Sequence, residues 1–369
     1  MKNNKLIIQT KTKSYPIYFG NNILEKISVL IKKNLPSVKK VCIISDIKLK
    51  KKLLKKLIIS LKKYDVKIFK LQSNEKTKSI GVANKIIEKL LKDNFNRSDC
   101  VIAFGGGVIG DLSAFISNLT KRGLKFVNIP TTLLAQVDAS IGGKTGINTN
   151  QGKNLIGTYY QPDFVLSDVS ILKSLPEREM VAGYGEILKH SLILDKKFFF
   201  WLSKNGKKII NKKNNNVLIN AIKKSCKIKS KIIQQDEKEK NLRMILNFGH
   251  TFAHGFEGAK NFSKKLNHGE AVLLGMIIAS DLSNKKKLLS QRDLLLIKKH
   301  YLKLNLVMNI KKIFKKNEIN KILYFMKKDK KNVDEKINLI LLKKIGKTTD
   351  PKKISMKANQ IKNFLKLYF

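Results

Sequence analysis

The chain has 369 residues, roughly twice a typical single domain, and so divides most simply into two. Its 76 Lys and Arg against 27 Asp and Glu leave a formal charge of +49, which raises nucleic acid or an anionic membrane surface as partners. Both are set aside: the lysines run along almost the whole chain with no aromatic-interleaved patch, and no segment reaches the roughly 18 apolar residues of a membrane span.

Arginine occurs only at positions 97, 122, 178, 243 and 292. Lys, Asn and Ile share A/T-rich codons, so compositional drift accounts for the charge without a dedicated partner. The opening segment MKNNKLIIQT carries no long apolar stretch, which points away from a secretory leader. Three widely spaced cysteines (Cys42, Cys100 and Cys226) fit buried free thiols in a reducing cytoplasm.

In chain order, VCIIS at 41–45 reads as a strand, 48–63 as a helix and VKIFKL at 66–71 as a strand. Residues 80–92 place apolar side chains at helical spacing. CVIAF at 100–104 and KFVNI at 125–129 read as further strands. Such alternation predicts an α/β, Rossmann-like domain with a mostly parallel sheet, spanning residues 1–176. After Pro176 the pattern becomes helical at 177–194, 196–203, 216–233, 247–258, 270–287 and 290–304. An all-helical second domain over 177–369 follows, with a surface loop at 204–216 and one short hairpin around 337–347.

The strand 100–104 runs into Gly105, Gly107 and Gly110, which satisfy G-x-G-x-x-G at a strand-to-helix turn. Glycine lets backbone approach a pyrophosphate, and the helix N-terminus favours its negative charge. No acid lies about 20 residues beyond on the next strand, as that motif usually has. Asp46, ending an earlier strand, is the candidate for the ribose.

Residues 129–162 are dense in Gly, Thr, Asn and Lys. Thr131 and Thr132 follow a strand end, Lys144 sits in a Gly-Gly-Lys-Thr-Gly turn, and Lys153 sits in Gly-Lys-Asn. Lysines in glycine turns are well placed for phosphate oxygens. The run is no P-loop, because no glycine stands six residues before Lys144.

Histidines occur only at 190, 250, 254, 268 and 300, three of them within 19 residues. Glu and His are the ligand types of a catalytic zinc with an open position. Spacing alone favours His250 with His254, and Glu186 with His190, each pair one helical turn apart. Arg122 and Arg243, in a chain that otherwise uses Lys, suit bidentate anion binding.

The segments GGGVIGD, KRG, PTTLLAQVD, GGKTGIN, GKNLIG, LPERE, GEILKH, DEKEKNLRMILNFGHTFAHGFE and HGEAV cover 100–275 almost without a gap. Together they resemble the 3-dehydroquinate synthase family, related to glycerol dehydrogenases and iron-type alcohol dehydrogenases. Outside that stretch the likeness is thinner: NEKTKS at 74–79 lacks the family's glycine, and MKKDKK at 326–331 resembles a late Asp-Lys-Lys element. GYGEILKH, FAHGFE and AFISNLTKRG depart mildly from the family's usual wording, without loss of a chemical group.

The resemblance implies a homodimer, an NAD-holding first domain, a metal-holding second domain and a substrate cleft between them. By position it selects Glu186, His250 and His268 for zinc or cobalt, and leaves His254 for substrate. It implies an NAD set of Glu75, Lys78, Gly107, Val108, Ile109, Gly110, Asp111, Thr131, Thr132, Ile171, Leu172, Lys173 and Ser174, with Lys144 and Lys153 near cofactor and substrate alike. Substrate groups would be Asp138, Asn154, Lys189, Lys229, Arg243, Asn247, His254 and Lys331, with Arg122 acting across a dimer. The reaction implied converts 3-deoxy-D-arabino-heptulosonate 7-phosphate to 3-dehydroquinate and phosphate. It passes through transient oxidation by NAD, β-elimination, re-reduction and internal aldol closure, within the shikimate pathway.

Three other readings compete. A polyol dehydrogenase shares the glycine turn and metal but needs no phosphate clamp. A basic nucleic-acid-binding protein explains the charge but not the Glu/His cluster. An inactive homologue is opposed by the intact motifs.

Overall fold

The computed structural model describes residues 4–328 and 336–369; Lys331 lies outside them. The chain forms two compact units. One comprises residues 1–176 and 212–237, the other 177–211 and 238–369. The sequence reading places everything after 176 in the second unit, yet 212–237 returns to the first.

The first unit is built on a seven-stranded sheet. Its elements are β1 (Lys5–Gln9), β2 (Ser14–Gly20), α1 (Ile27–Asn34), β3 (Lys40–Asp46), α2 (Lys51–Ser60), β4 (Asp65–Leu71), α3 (Ile80–Lys92), β5 (Cys100–Gly105), α4 (Gly107–Leu119), β6 (Lys125–Pro130), β7 (Ile147–Thr149), β8 (Gly152–Ile156) and β9 (Phe164–Asp168). The order is β1-β2-β9-β6-β5-β3-β4, parallel except for β1. Periodicity missed β1, β2 and β9. The antiparallel ribbon β7–β8 stands apart from the sheet.

Central β5 is buried along its whole length, as a strand covered on both faces must be. Val41, Ile43, Ile102, Phe104, Val127 and Leu166 pack on one face; Cys42, Ile44, Val101, Ala103 and Phe126 pack on the other. Each large side chain so buried contributes about 1.5–3 kcal/mol. The three cysteines are buried and free, and burial pushes their thiols up, so they are inert packing groups. Edge strand β4 carries Lys67 and Lys70, which discourage further strand pairing.

The second unit begins with α5 (Glu177–Leu194) and α6 (Lys196–Ile210). The predicted loop at 204–216 is wrong over its first half. Leu202, Gly206, Ile209 and Ile210 continue a buried helical face, and the turn is confined to 211–214. Asn214 then caps α7 (Asn215–Gln235) by accepting the Val217 amide, and α7 packs in the first unit.

The second unit resumes with α8 (His250–Ala259), α9 (His268–Lys285), α10 (Gln291–Lys303) and α11 (Ile319–Lys327). Strands β10 (Lys336–Leu339), β11 (Leu342–Lys344), β12 (Lys347–Thr348) and β13 (Ile354–Lys357) and helix α12 (Ala358–Lys366) complete it. The expected hairpin is β11–β12, while β10 pairs instead with β13. Among the described residues no helix is long and apolar enough to cross a membrane.

Glycine sets how closely α5, α8 and α9 approach. A Cβ on Gly275 of α9 would fall 2.1 Å from the Gly249 carbonyl ahead of α8. Gly249 itself adopts φ +81°, so α8 begins at His250 and not at 247 as predicted.

Candidate active site

In the first unit, β5 ends at Gly105 and α4 starts at Gly107. Gly106 is the N-cap and offers no side chain to the amides of the first turn, residues 107–109. Gly105 must lack a Cβ because Ile109 packs over it, where a Cβ would sit 2.6 Å from the Ile109 side chain. Ile109 is therefore core, and only its backbone faces the turn; Ile171 and Leu172 are core likewise. Asp46 ends β3, the strand beside β5, and accepts the Lys48 amide at 3.0 Å.

Beside this turn a polar network joins three segments. Lys78, nearly buried, donates to Asp111 of α4 at 2.6 Å and to Asn154 of β8 at 2.5 Å. Glu75 pairs with Lys153 at 3.2 Å and accepts the Asn148 side-chain amide at 2.7 Å. Burial raises the Asp111 carboxyl against the opposing pull of Lys78. Burial also acts upward on Glu75, but Asn148 and the charges of Lys153 and Lys78 outweigh it and hold its carboxyl low. Glu75, Lys78, Asp111, Lys153 and Asn154 are thus brought together. Asn148 was missed; its only signal was its place in the Asn-rich run 148–154.

Thr131 binds the end of β5 through its amide, and Thr132 accepts the Ala135 amide. A π-turn over Ala135–Ala139 follows, invisible to periodicity, and carries Asp138. Lys229 of α7 donates to Asp138 Oδ1 at 2.6 Å. Lys144 is exposed in its glycine turn and bridges to Tyr159. Lys173 and Ser174 are exposed beyond Leu172. Arg122 is exposed after α4 with φ +63°.

In the second unit, Glu186 is wholly buried on α5. Neither carboxylate oxygen accepts a hydrogen bond among the described residues. Its neighbours are the Lys189 ammonium, also buried and paired with it, and His250 Nε2 at 3.6 Å. Glu186, His250 and His268 each offer a ligand atom within 4.8 Å of the others. His190 also comes within that distance of Glu186, so both pairings of Glu186 remain geometrically open.

The ring orientations favour one of them. His250 Nδ1 can only donate to the Phe248 carbonyl, at 3.4 Å, which leaves Nε2 as the lone-pair nitrogen toward Glu186. His268 Nδ1 faces Glu257 at 3.2 Å in the same carboxylate–histidine manner that orients metal ligands. His268 opens α9 behind a capping box made by Asn267 and Glu270. His254 lies a turn beyond His250, its ring edge-on at 5.8 Å between centroids. Arg243 is buried, and Asn247 donates to Glu239 at 3.0 Å.

The chain is similar to known proteins over most of its length. Residues 68–182 match the family model for the 3-dehydroquinate synthase N-terminal domain, and 183–332 match the C-terminal one. A 3-dehydroquinate synthase of Pelagibacter ubique is 52% identical over 342 residues, 93% of each chain. One from Alkaliphilus metalliredigens is 36% identical over 99% of each chain. Among solved structures, 2-deoxy-scyllo-inosose synthase complexed with carbaglucose-6-phosphate, NAD+ and Co2+ superposes with TM-score 0.87 at 25% identity, covering 99% of this chain and 100% of that one. A 2-epi-5-epi-valiolone synthase from Streptomyces hygroscopicus with NAD+ and Zn2+ gives 0.83 at 25% identity, covering 98% of both. With two adjoining family models matched over residues 68–332 and a relative 52% identical over 93% of each chain, this chain belongs to the 3-dehydroquinate synthase family.

Proposed function

We propose that the chain is an NAD- and metal-dependent phosphate lyase that closes 3-deoxy-D-arabino-heptulosonate 7-phosphate to 3-dehydroquinate. The observation that carries this reading is Glu186: a fully buried carboxylate whose oxygen lies within 4.8 Å of ligand nitrogens on two oriented histidines. A His₂Glu set is the donor set of a catalytic divalent metal, here with the buried Lys189 ammonium also against the carboxylate. Zinc fits, and cobalt fits the same ligands. The first turn of α4, whose amides no side chain of the N-cap Gly106 covers, fits a dinucleotide pyrophosphate, with Glu75, Lys78, Asp111, Thr131 and Thr132 around it and Asp46 toward a ribose. The relatives with NAD+ and Co2+ or Zn2+ support both assignments.

Bound NAD would supply reversible hydride acceptance, and a metal held by Glu186, His250 and His268 would supply Lewis acidity toward a substrate oxygen. The chain's own groups bind and orient. From the first unit, Lys144, Lys153, Asn154 and Lys229 hold phosphate and hydroxyl oxygens, and Asp138 keeps Lys229 in place. From the second unit, Arg243 holds the carboxylate by its planar fork, with Asn247 and Lys189 beside it. His254, not a metal ligand in this reading, is the candidate for proton transfer with the substrate. Arg122 acts on the phosphate in a second copy of the chain, which makes the working form a homodimer. A polyol dehydrogenase is the second reading; a probable glycerol dehydrogenase from Sinorhizobium meliloti shares the fold (TM-score 0.67, 13% identity).

The test is product analysis with purified protein, substrate, NAD and zinc. Phosphate and dehydroquinate should appear together with no net NADH. Stoichiometric NADH from a simple polyol would move the chain to the dehydrogenase reading.

A further inference from the structure

Glu237 ends the first unit two residues beyond α7 and is almost fully buried. Its carboxylate gathers three donors. Oε1 accepts the Thr12 hydroxyl at 2.5 Å and the Gln161 side-chain amide at 2.8 Å; Oε2 accepts the Thr12 backbone N–H at 3.2 Å. Burial alone would raise this carboxyl, but Thr12, Gln161 and Thr10 outweigh it and hold it low, so the group is an anion at neutral pH.

Gln161 is buried too, and its other face is the floor of the Gly142–Lys144 turn. Gly143 adopts φ +65°, and a Cβ there would lie 2.6 Å from the Gln161 amide. The same turn is fixed by Tyr160, whose N–H donates to the Gly143 carbonyl at 2.7 Å, and by Tyr15, whose hydroxyl accepts the Gly142 N–H at 3.4 Å. The backbone of Lys144 then pairs with Tyr159. One carboxylate therefore ties the end of α7, which carries Lys229, to the β1–β2 turn and to the seat of the Lys144 turn. Neither Glu237 nor Gln161 need touch a reactant to act.

We propose that Glu237 and Gln161 are positioning residues for Lys144, fixing the glycine turn from which its ammonium reaches the reacting molecule. The proposal rests on the reading that Lys144 serves catalysis. A buried ionised acceptor suits the task because charge-assisted bonds to it are short and strong, and every competing geometry leaves a buried charge unsatisfied. Misplacing a catalytic group by about 1 Å costs on the order of 100-fold in rate.

The experiment is a double-mutant cycle on phosphate release from holoenzyme. Glu237→Gln sets an amide N–H against donors on every side, and should lower kcat roughly 10- to 100-fold. Lys144→Ala should lower it at least as far. The double variant Glu237→Gln/Lys144→Ala should be no slower than Lys144→Ala alone, because a turn without its ammonium has nothing left to position. Multiplicative losses, which a purely structural role predicts, would overturn the proposal. Should Glu237→Gln fail to fold, Gln161→Ala replaces it in the same cycle with the same expectations. Full activity in Lys144→Ala would sink the catalytic reading of Lys144 itself, a result distinct from an additive cycle.

Discussion

A Cβ placed on Gly269 would stand 2.2 Å from the Cα of Ala182. Gly269 follows His268 on α9, and Ala182 lies one turn before Glu186 on α5. The missing side chain is thus what allows these two candidate ligands to meet. Gly269→Ala must push α9 off α5, and overpacking against backbone costs about 1–3 kcal/mol or more. The expected outcome is a lower unfolding midpoint together with reduced zinc content at fixed free zinc. A variant that keeps full zinc would show that the helix spacing does not govern the site.

The metal set itself is separable by single substitutions. His268→Ala should lose zinc, because it removes one of three ligand atoms gathered within 4.8 Å. His254→Ala should keep zinc and lose activity. Metal analysis of dialysed protein decides the matter, and the opposite pattern would restore the helical pair of His250 with His254.

Lys153→Ala should reduce turnover by orders of magnitude while the fold survives. Its partner Glu75 is about half exposed, and such a surface pair is worth about 0–1 kcal/mol. Stability should therefore move little. Wild-type turnover in this variant would make Lys153 one more solvated lysine.

His300 is buried, with Nε2 accepting the Tyr184 hydroxyl at 2.8 Å and Nδ1 beside Ser203 at 3.3 Å. The Ser203 hydroxyl is already donated to the Phe199 carbonyl, so Nδ1 bears the proton and the ring is neutral. Burial, with Lys303 nearby, pushes the His300 imidazole down to about 4 from an ordinary 6.5. Below 6.5 the unfolded chain binds a proton that the folded chain refuses. Stability therefore falls as pH drops from 6.5 to about 4, by on the order of 3 kcal/mol from this group. Urea unfolding across that window should show the slope, and His300→Gln should flatten it. An equal slope in the variant would assign the loss to other groups.

Much of the fold is legible in the sequence alone. Local hydrophobic spacing reveals strands β3, β4, β5 and β6 and most helices, because each is patterned by its own neighbours in the chain. The glycine turn after β5 was readable because backbone approach demands glycine there. What spacing could not reach were relations across the chain. The i, i+4 rule names partners only within one helix, so it offered His250 with His254, while His268 on α9 faces Glu186 on α5 only after the helices pack. Asn148, the π-turn beneath Asp138 and the clamp at Glu237 left no periodic mark, since each depends on one side chain meeting a distant segment. The return of α7 to the first unit was equally hidden: an amphipathic helix shows that it will bury one face, and only the tertiary structure decides against what.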